Sequence, residues 1–115
     1  MKKLKLSISD NYGNIDLDGS PLWENSSKYS SRYSWREVEF ELELESNLVE
    51  RVKRWQKESI KTNECLEIKE DAVRCEIEGL SLLLELRREL PNFEIRYYSI
   101  FSNSCFVLNK EQEDG

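Results

Sequence analysis

The chain has 115 residues, of which 38% are hydrophobic and 35% charged, and its net charge is −6 at pH 7. This length suits one domain with a modest core, and the charged fraction is typical of a soluble protein. The acidic balance argues against nucleic acid as the main partner, because phosphate binding needs a positive surface. It is compatible with a basic protein partner. The chain has no histidine, which excludes Ser-His and Cys-His mechanisms.

Neither a targeting signal nor a disulfide pattern is visible in the sequence. The apolar segment at residues 4–8 is interrupted by Lys5 and Ser7, so it is too short for a signal peptide. No apolar run is long enough to span a membrane. The three cysteines are widely spaced and form no C-x-x-C pair: Cys65, Cys75 and Cys105. These features predict reduced thiols in a cytoplasmic protein without membrane contact.

The first 34 residues are predicted to form a β-hairpin followed by a loop. Residues 3–9 alternate between polar and apolar side chains, residues 11–14 have the composition of a turn, and residues 15–17 resume the alternation. Residues 18–21 then break the strand. A loop rich in serine and aromatic residues is predicted to continue to Ser34.

Residues 37–45 alternate without a break between glutamate and apolar side chains. Successive side chains of a strand point to opposite faces, so the alternation predicts a strand from about Trp35 to Glu45. The core face of this strand would carry Val38, Phe40, Leu42 and Leu44. The other face would carry Glu37, Glu39, Glu41, Glu43 and Glu45.

The elements after this strand are predicted from periodicity and capping residues. Ser46 and Asn47 are favourable N-caps for a helix that continues to about Thr62, and Asn47 and Glu50 have capping-box spacing. The further predicted elements are strands at 66–68 and 73–77 with a turn at 69–71, a leucine-rich helix from about Gly79 that Pro91 ends, strands at 93–101 and 105–108, and an acidic, frayed tail at 109–115.

Residues 35–101 therefore have the order strand, helix, strand, strand, helix, strand. This order is typical of the ferredoxin-like split βαβ fold (βαββαβ), so we predict one α+β domain over residues 1–108. The N-terminal hairpin and the last strand would be additions. Arg74 and Arg96 would lie beside the glutamates on the open face of an antiparallel sheet. The predicted core contains Val38, Phe40, Leu42, Leu44, Val52, Trp55, Leu83, Leu86, Ile95 and Tyr97.

Two surface segments are candidates for contact with a partner. The glutamate row is either a solvated face that protects against aggregation or a docking surface for a cationic protein. Segment 26–36 repeats Ser-Ser-basic-Tyr and contains residue types enriched at binding hot spots. It is either a flexible connection or a source of contact residues, and Trp35 alternatively closes the core. The candidate partner-binding residues are Glu37, Glu39, Glu41, Glu43, Trp23, Tyr29, Arg32, Tyr33 and Trp35.

No catalytic, metal or cofactor site is predicted. The chain has four glycines and no phosphate-binding or dinucleotide motif. Residues 14–19 look like the start of a calcium loop, but Asn14 and Asn25 occupy positions that need an acid. Cys75 is expected to face the core as inert packing. These features predict a protein that is not an enzyme.

Four segments resemble a family of bacterial proteins. They are Asp18-Gly19-Ser20-Pro21-Leu22-Trp23, Leu48-x-x-x-Val52-x-x-Trp55, Glu78-Gly79-Leu80 and Arg88-Glu89-Leu90-Pro91. Through them the chain resembles, over residues 18–98, small immunity proteins of contact-dependent and related polymorphic toxin systems. The resemblance implies a cytoplasmic protein that binds one cognate toxin domain and blocks it. Many such toxins are basic nucleases, which an acidic inhibitor complements.

Two alternatives to an immunity function stay open. One is a small ligand-sensing or regulatory ferredoxin-like domain that binds a small molecule between protomers. The other is a protein-binding inhibitor of another kind, such as a phage-encoded one.

Overall fold

The structure is a computed structural model that describes residues 2–9, 15, 19–25, 30–64 and 69–107. Its elements are β1 (Lys2–Leu6), β2 (Leu22–Asn25), β3 (Ser30–Arg32), α1 (Trp35–Phe40), α2 (Ser46–Glu64), α3 (Lys69–Glu89), β4 (Phe93–Ser99) and β5 (Ser104–Val107). The α+β class is confirmed. The predicted ferredoxin-like order is not confirmed, because three strands come first, three helices follow and two strands end the described part.

The five strands form one mixed sheet in the order β3-β2-β1-β4-β5. The central strand β1 pairs antiparallel with β2 and parallel with β4, so the first strand lies beside a strand about 90 residues later in the chain. Within the described residues, the predicted hairpin is represented by an isolated antiparallel bridge between Ser9 and Ile15. Its predicted turn at 11–14 lies outside the described residues. The partner of β1 is instead β2, which lies with β3 in the segment predicted to be a loop.

One face of the sheet forms the core with the helices. Leu4 and Leu6 of β1 are buried on this face beside Ile95 and Tyr97 of β4. Every predicted core residue except Phe40 belongs to this buried cluster. Helix α2 buries one side of its surface against the sheet, since Leu48, Val49, Val52 and Trp55 are buried and Ile60 packs against the cluster. Leu82, Leu83, Leu86 and Leu90 are also buried, and α3 ends just before Pro91 as predicted.

The strand predicted at 35–45 is wrong, because its first six residues form helix α1. Ser34 is the N-cap of α1: its hydroxyl accepts a hydrogen bond from the Glu37 backbone N–H (3.1 Å), and the Glu37 carboxylate accepts one from the Ser34 backbone N–H (3.0 Å). This capping box satisfies two N–H groups at the helix start and fixes where it begins. After α1 the chain turns through Glu43, which has a φ of 53°.

The strand predicted at 73–77 is also wrong, since α3 begins at Lys69 and continues through it. Cys75 is buried as expected, but Val73 and Ile77 are 57% and 63% exposed. The acidic first turn and basic last turn of α3 suit the helix dipole. The capping box predicted at Asn47 is not formed, because α2 begins at Ser46 and Asn47 lies inside its first turn. The Asn47 amide donates to the Glu45 carboxylate (3.3 Å). Residues 66–68 and the tail at 109–115 lie outside the described part.

The second face of the sheet carries cations where glutamates were predicted. Strand register aligns one side chain from each strand across this face, in the order Arg32, Trp23, Lys5, Arg96 and Val107. Arg74 is not on the sheet, because it belongs to α3 and pairs with Asp71. Among the helices described here, none is long and apolar enough to cross a membrane.

Candidate protein-binding surface

Trp23 and Arg32, two of the predicted contact residues, hold the sheet together. Trp23 is 8% exposed, and its indole N–H donates to the Ser7 carbonyl (2.9 Å). The charged groups of Arg32 and Lys5 lie 5.1 and 5.5 Å from the centre of its ring, within cation–π range. The Arg32 guanidinium also donates to the carbonyls of Ser20 and Gly19. The burial of Trp23 makes it a packing residue in this structure.

Tyr33 and Trp35 also pack against the core. Tyr33 is 7% exposed, and its backbone N–H donates to the Leu22 carbonyl (2.9 Å). Trp35 is half-buried against the core cluster, with the Lys53 ammonium 5.2 Å from its ring centre. This position agrees with the alternative that Trp35 closes the core. Tyr29 lies outside the described residues.

The four predicted acidic contact residues lie in a segment that we call the acidic segment, residues 37–45. Three side chains attach it to the core: Val38, Leu42 and Leu44 are buried. The intervening residues Glu39, Phe40, Glu41 and Glu43 are exposed. Glu37 is half-buried because it caps α1. The glutamates therefore surround a helix end and a turn rather than forming a row on a sheet.

Phe40 lies on this surface, although the alternation of residues 37–45 predicted it to lie in the core. Its side chain is 70% exposed, and the Arg36 guanidinium lies 6.0 Å from the ring centre. Val38 and Leu42 are four residues apart and share one side of a helical turn, which leaves Phe40 on the opposite side. When these residues are interpreted as a helix, Phe40 is predicted to lie on the surface together with its neighbours Glu39 and Glu41.

Several carboxylates lie near the Tyr33 hydroxyl on this surface. Burial raises the pKa of the Tyr33 hydroxyl above its ordinary value of 10.0, and the nearby carboxylates of Glu24, Glu41 and Glu37 raise this pKa further. Glu24 of β2 therefore adds to the negative electrostatic potential around the acidic segment. The Glu45 backbone N–H donates to the Glu89 carboxylate (3.1 Å), which adds the end of α3 to the same region. The surface combines an exposed aromatic ring with negative charge.

A cleft of about 370 Å³ lies between α2 and α3. The Trp55 indole N–H donates to the Cys75 carbonyl (2.9 Å) in its wall, and the Cys75 thiol lies 3.7 Å from the Thr62 hydroxyl. Its rim carries both signs of charge, with Arg54, Glu58, Lys61, Asp71 and Arg74. The residues described contain no group of three His, Cys, Asp or Glu side chains suited to a metal ion.

A partly buried hydrogen-bond network joins α3 to β4. The Glu76 carboxylate accepts from the Tyr97 hydroxyl (2.6 Å) and from the Ser99 hydroxyl (2.7 Å). Burial raises the pKa of Tyr97 far above its ordinary value of 10.0, and the hydrogen bond to Glu76 raises this pKa further. Tyr97 is therefore a neutral donor at physiological pH, which suits a structural role better than proton transfer.

No family model, curated protein or solved structure matches this chain. Its function is therefore inferred from the surface and from the residues that form it.

Proposed function

We propose that this protein is a non-enzymatic inhibitor of the immunity type, which binds a basic toxin domain through the acidic segment. The observation that carries the proposal is the exposure of Phe40 among Glu39, Glu41 and Glu43. An aromatic ring at 70% exposure gains little stability from burial, and aromatic rings are enriched at the centres of interfaces.

The surroundings of Phe40 suit a binding anchor. A phenylalanine side chain buries on the order of 150–250 Å² when it is fully covered, so most of that area is still available to a partner. The segment is attached to the core on both sides of the ring by Val38 and Leu42. Such attachment limits the conformational entropy that binding would cost.

The charge around the ring indicates the chemistry of the partner. A nuclease needs a positive surface to attract phosphates, and a carboxylate-rich surface is complementary to it. An inhibitor that covers this positive surface would exclude the substrate. The basic toxin domain, rather than a nucleic acid, is therefore the proposed partner, in a cytoplasmic setting.

The function is tested with the C-terminal domain encoded by the gene immediately upstream. That domain is expressed from an inducible promoter, with and without this protein, and growth is recorded. We expect growth arrest that this protein relieves, together with a purified one-to-one complex. A domain that is harmless, or toxicity that this protein leaves unchanged, contradicts the proposal.

The first prediction concerns Phe40. The Phe40→Ala variant should dissociate from the toxin domain roughly tenfold faster, which corresponds to about 1.4 kcal/mol, because the anchor of the interface is lost. Its association rate should hardly change. Surface plasmon resonance measures both rates. Val107→Ala, which truncates another exposed apolar residue, is the matched control and should dissociate like the wild type.

The second prediction concerns the position of the negative charge. The Glu39→Lys/Glu43→Lys variant should associate about threefold to tenfold more slowly at low salt, because attraction to a basic partner is replaced by repulsion. The difference should shrink at high salt, where charges are screened.

The matched control for this charge reversal is Glu50→Lys/Glu58→Lys on α2. Both residues are exposed, and the net charge changes by the same amount. Equal slowing in the two variants would show that total charge, rather than the acidic segment, guides association, and would contradict the assignment of this surface.

The cleft between α2 and α3 is the feature that favours the ligand-sensing alternative. Its volume lies within the range of ~300–1,000 Å³ that is common for ligand sites. However, three of its charged lining residues are already in ion pairs, Arg74 with Asp71 and Glu78 with Arg51. The exposed aromatic ring in the acidic segment has no comparable structural explanation, so protein binding is the stronger proposal.

A further inference from the structure

Helix α3 carries an apolar stripe that the acidic segment and the cleft do not explain. Five large hydrophobic side chains are exposed in the described part of the chain, and three of them lie on this helix: Val73 (57%), Ile77 (63%) and Leu84 (55%). Leu80 lies between them in sequence and is half-buried against the core. We call these four residues the α3 stripe. Their spacing of four, three and four residues places them on one side of the helix.

The other sides of α3 are already packed. Leu82 and Leu86 point into the core. Glu78 pairs with Arg51 of α2 (2.9 Å), and Glu76 accepts hydrogen bonds from Tyr97 and Ser99 of β4. Among the described residues, Val73, Ile77 and Leu84 of the α3 stripe are exposed, while Leu80 also packs against the core cluster. Apolar residues at intervals of four, three and four are typical of a helix side that packs against a second helix.

The sequence of the stripe is complementary to itself in the antiparallel direction. About a two-fold axis between Glu78 and Gly79, Val73 faces Leu84 of a second copy, and Ile77 faces its Leu80. The charges follow the same symmetry: the first turn of α3 carries Glu70 and Asp71 beside Lys69, a net negative charge, and the last turn carries Arg87 and Arg88 beside Glu89, a net positive charge. Within the helix, Asp71 also pairs with Arg74, and Arg88 with Glu85. Antiparallel pairing brings opposite charges together at both ends, whereas parallel pairing brings like charges together.

We propose that this protein forms a two-fold symmetric homodimer through antiparallel packing of the α3 stripes. This interface is separate from the acidic segment, so the dimer and the inhibitor function stand or fall independently. The stripe spans twelve residues, and its ends at Val73 and Leu84 are about 16 Å apart along the helix. Such a short seam predicts a weak dimer, with a dissociation constant on the order of 10 µM. The net charge of −6 on each copy opposes association at low ionic strength.

Analytical ultracentrifugation of the full chain tests the dimer, over about 2–200 µM protein at about 0.15 M salt, where the repulsion is screened. We expect a reversible shift from monomer to dimer across this range. Ile77→Lys should be monomeric throughout, and Val107→Lys, which adds the same charge at an exposed apolar residue of β5, should dimerise like the wild type. A wild type that stays monomeric, or an Ile77→Lys variant that still dimerises, overturns the proposal.

Cross-linking tests the antiparallel orientation. Val73→Cys and Leu84→Cys are made separately in a background in which Cys65 and Cys105 are replaced by serine. In an antiparallel pair, each position is about 16 Å from its own copy along the helix, too far for a disulfide. We expect a disulfide-linked dimer when the two variants are mixed and oxidised, and little with either alone. Efficient cross-linking of Val73→Cys with itself overturns the antiparallel arrangement.

Discussion

Leu42→Ala is expected to lower the free energy of unfolding by about 2–5 kcal/mol, whereas Phe40→Ala is expected to change it by less than about 0.5 kcal/mol. Leu42 is 7% exposed within the core cluster, so truncation removes buried methyl groups and leaves a cavity. Phe40 is 70% exposed, so truncation removes little buried area. A strand over 35–45 would instead bury both residues and make both substitutions costly.

Urea denaturation of the single variants measures these differences. Leu84→Ala is the matched control for Leu42→Ala, because the substitution is identical and Leu84 is 55% exposed. All variants are measured at about 1 µM protein, where the proposed weak dimer is dissociated. We expect Leu84→Ala to be close to neutral. A loss at Phe40 as large as the loss at Leu42 would contradict the helix and turn described for residues 35–45.

The sequence pattern of the acidic segment predicts which of its residues are buried better than it predicts the type of element. The burial of Val38, Leu42 and Leu44 was predicted, because both strand and helix bury some alternate positions. The type of element was predicted wrongly, because positions 38 and 42 are also four residues apart and therefore suit a helical turn. The deciding signal was local: Ser34 and Glu37 have capping-box spacing, and this box fixes the helix start. A helix that begins at this box and buries Val38 and Leu42 leaves Phe40 on the surface.

Helix α3 was misassigned for a related reason. Val73, Cys75 and Ile77 alternate over five residues, which imitates a short strand. Over a longer window, Cys75, Leu82 and Leu86 recur at helical spacing and are buried together. The longer period is the more reliable signal because it covers several turns. The exposed Val73 and Ile77 then belong to the α3 stripe rather than to the core.

The arrangement of the sheet was beyond the reach of local patterns. β2 and β3 are four and three residues long, and most of their stability comes from pairing with neighbours. The parallel pairing of β1 with β4 depends on contacts between the two ends of the described chain. Alternation identifies β1 and β4 as strands, but it contains no information about which strands become neighbours.

Gly79→Ala is expected to destabilise the protein by about 2 kcal/mol, although alanine is the better helix former. In a helix interior this change usually stabilises by about 1 kcal/mol. Here a Cβ atom at residue 79 would lie 2.6 Å from Cζ and 2.7 Å from the hydroxyl oxygen of Tyr97. Overpacking of this kind costs typically about 1–3 kcal/mol, at the upper end where the neighbour cannot move.

The Tyr97 ring is held on several sides and cannot easily move away from an added methyl group. Its hydroxyl donates to Glu76 (2.6 Å), and its ring lies edge-on to Trp55 and stacked on Phe106. A double-mutant cycle isolates this contact. In a Tyr97→Leu background the clashing atoms are absent, so Gly79→Ala should recover its usual sign and stabilise by about 1 kcal/mol. If Gly79→Ala stabilised the wild type as well, α3 would have to lie farther from β4 than the structure places it.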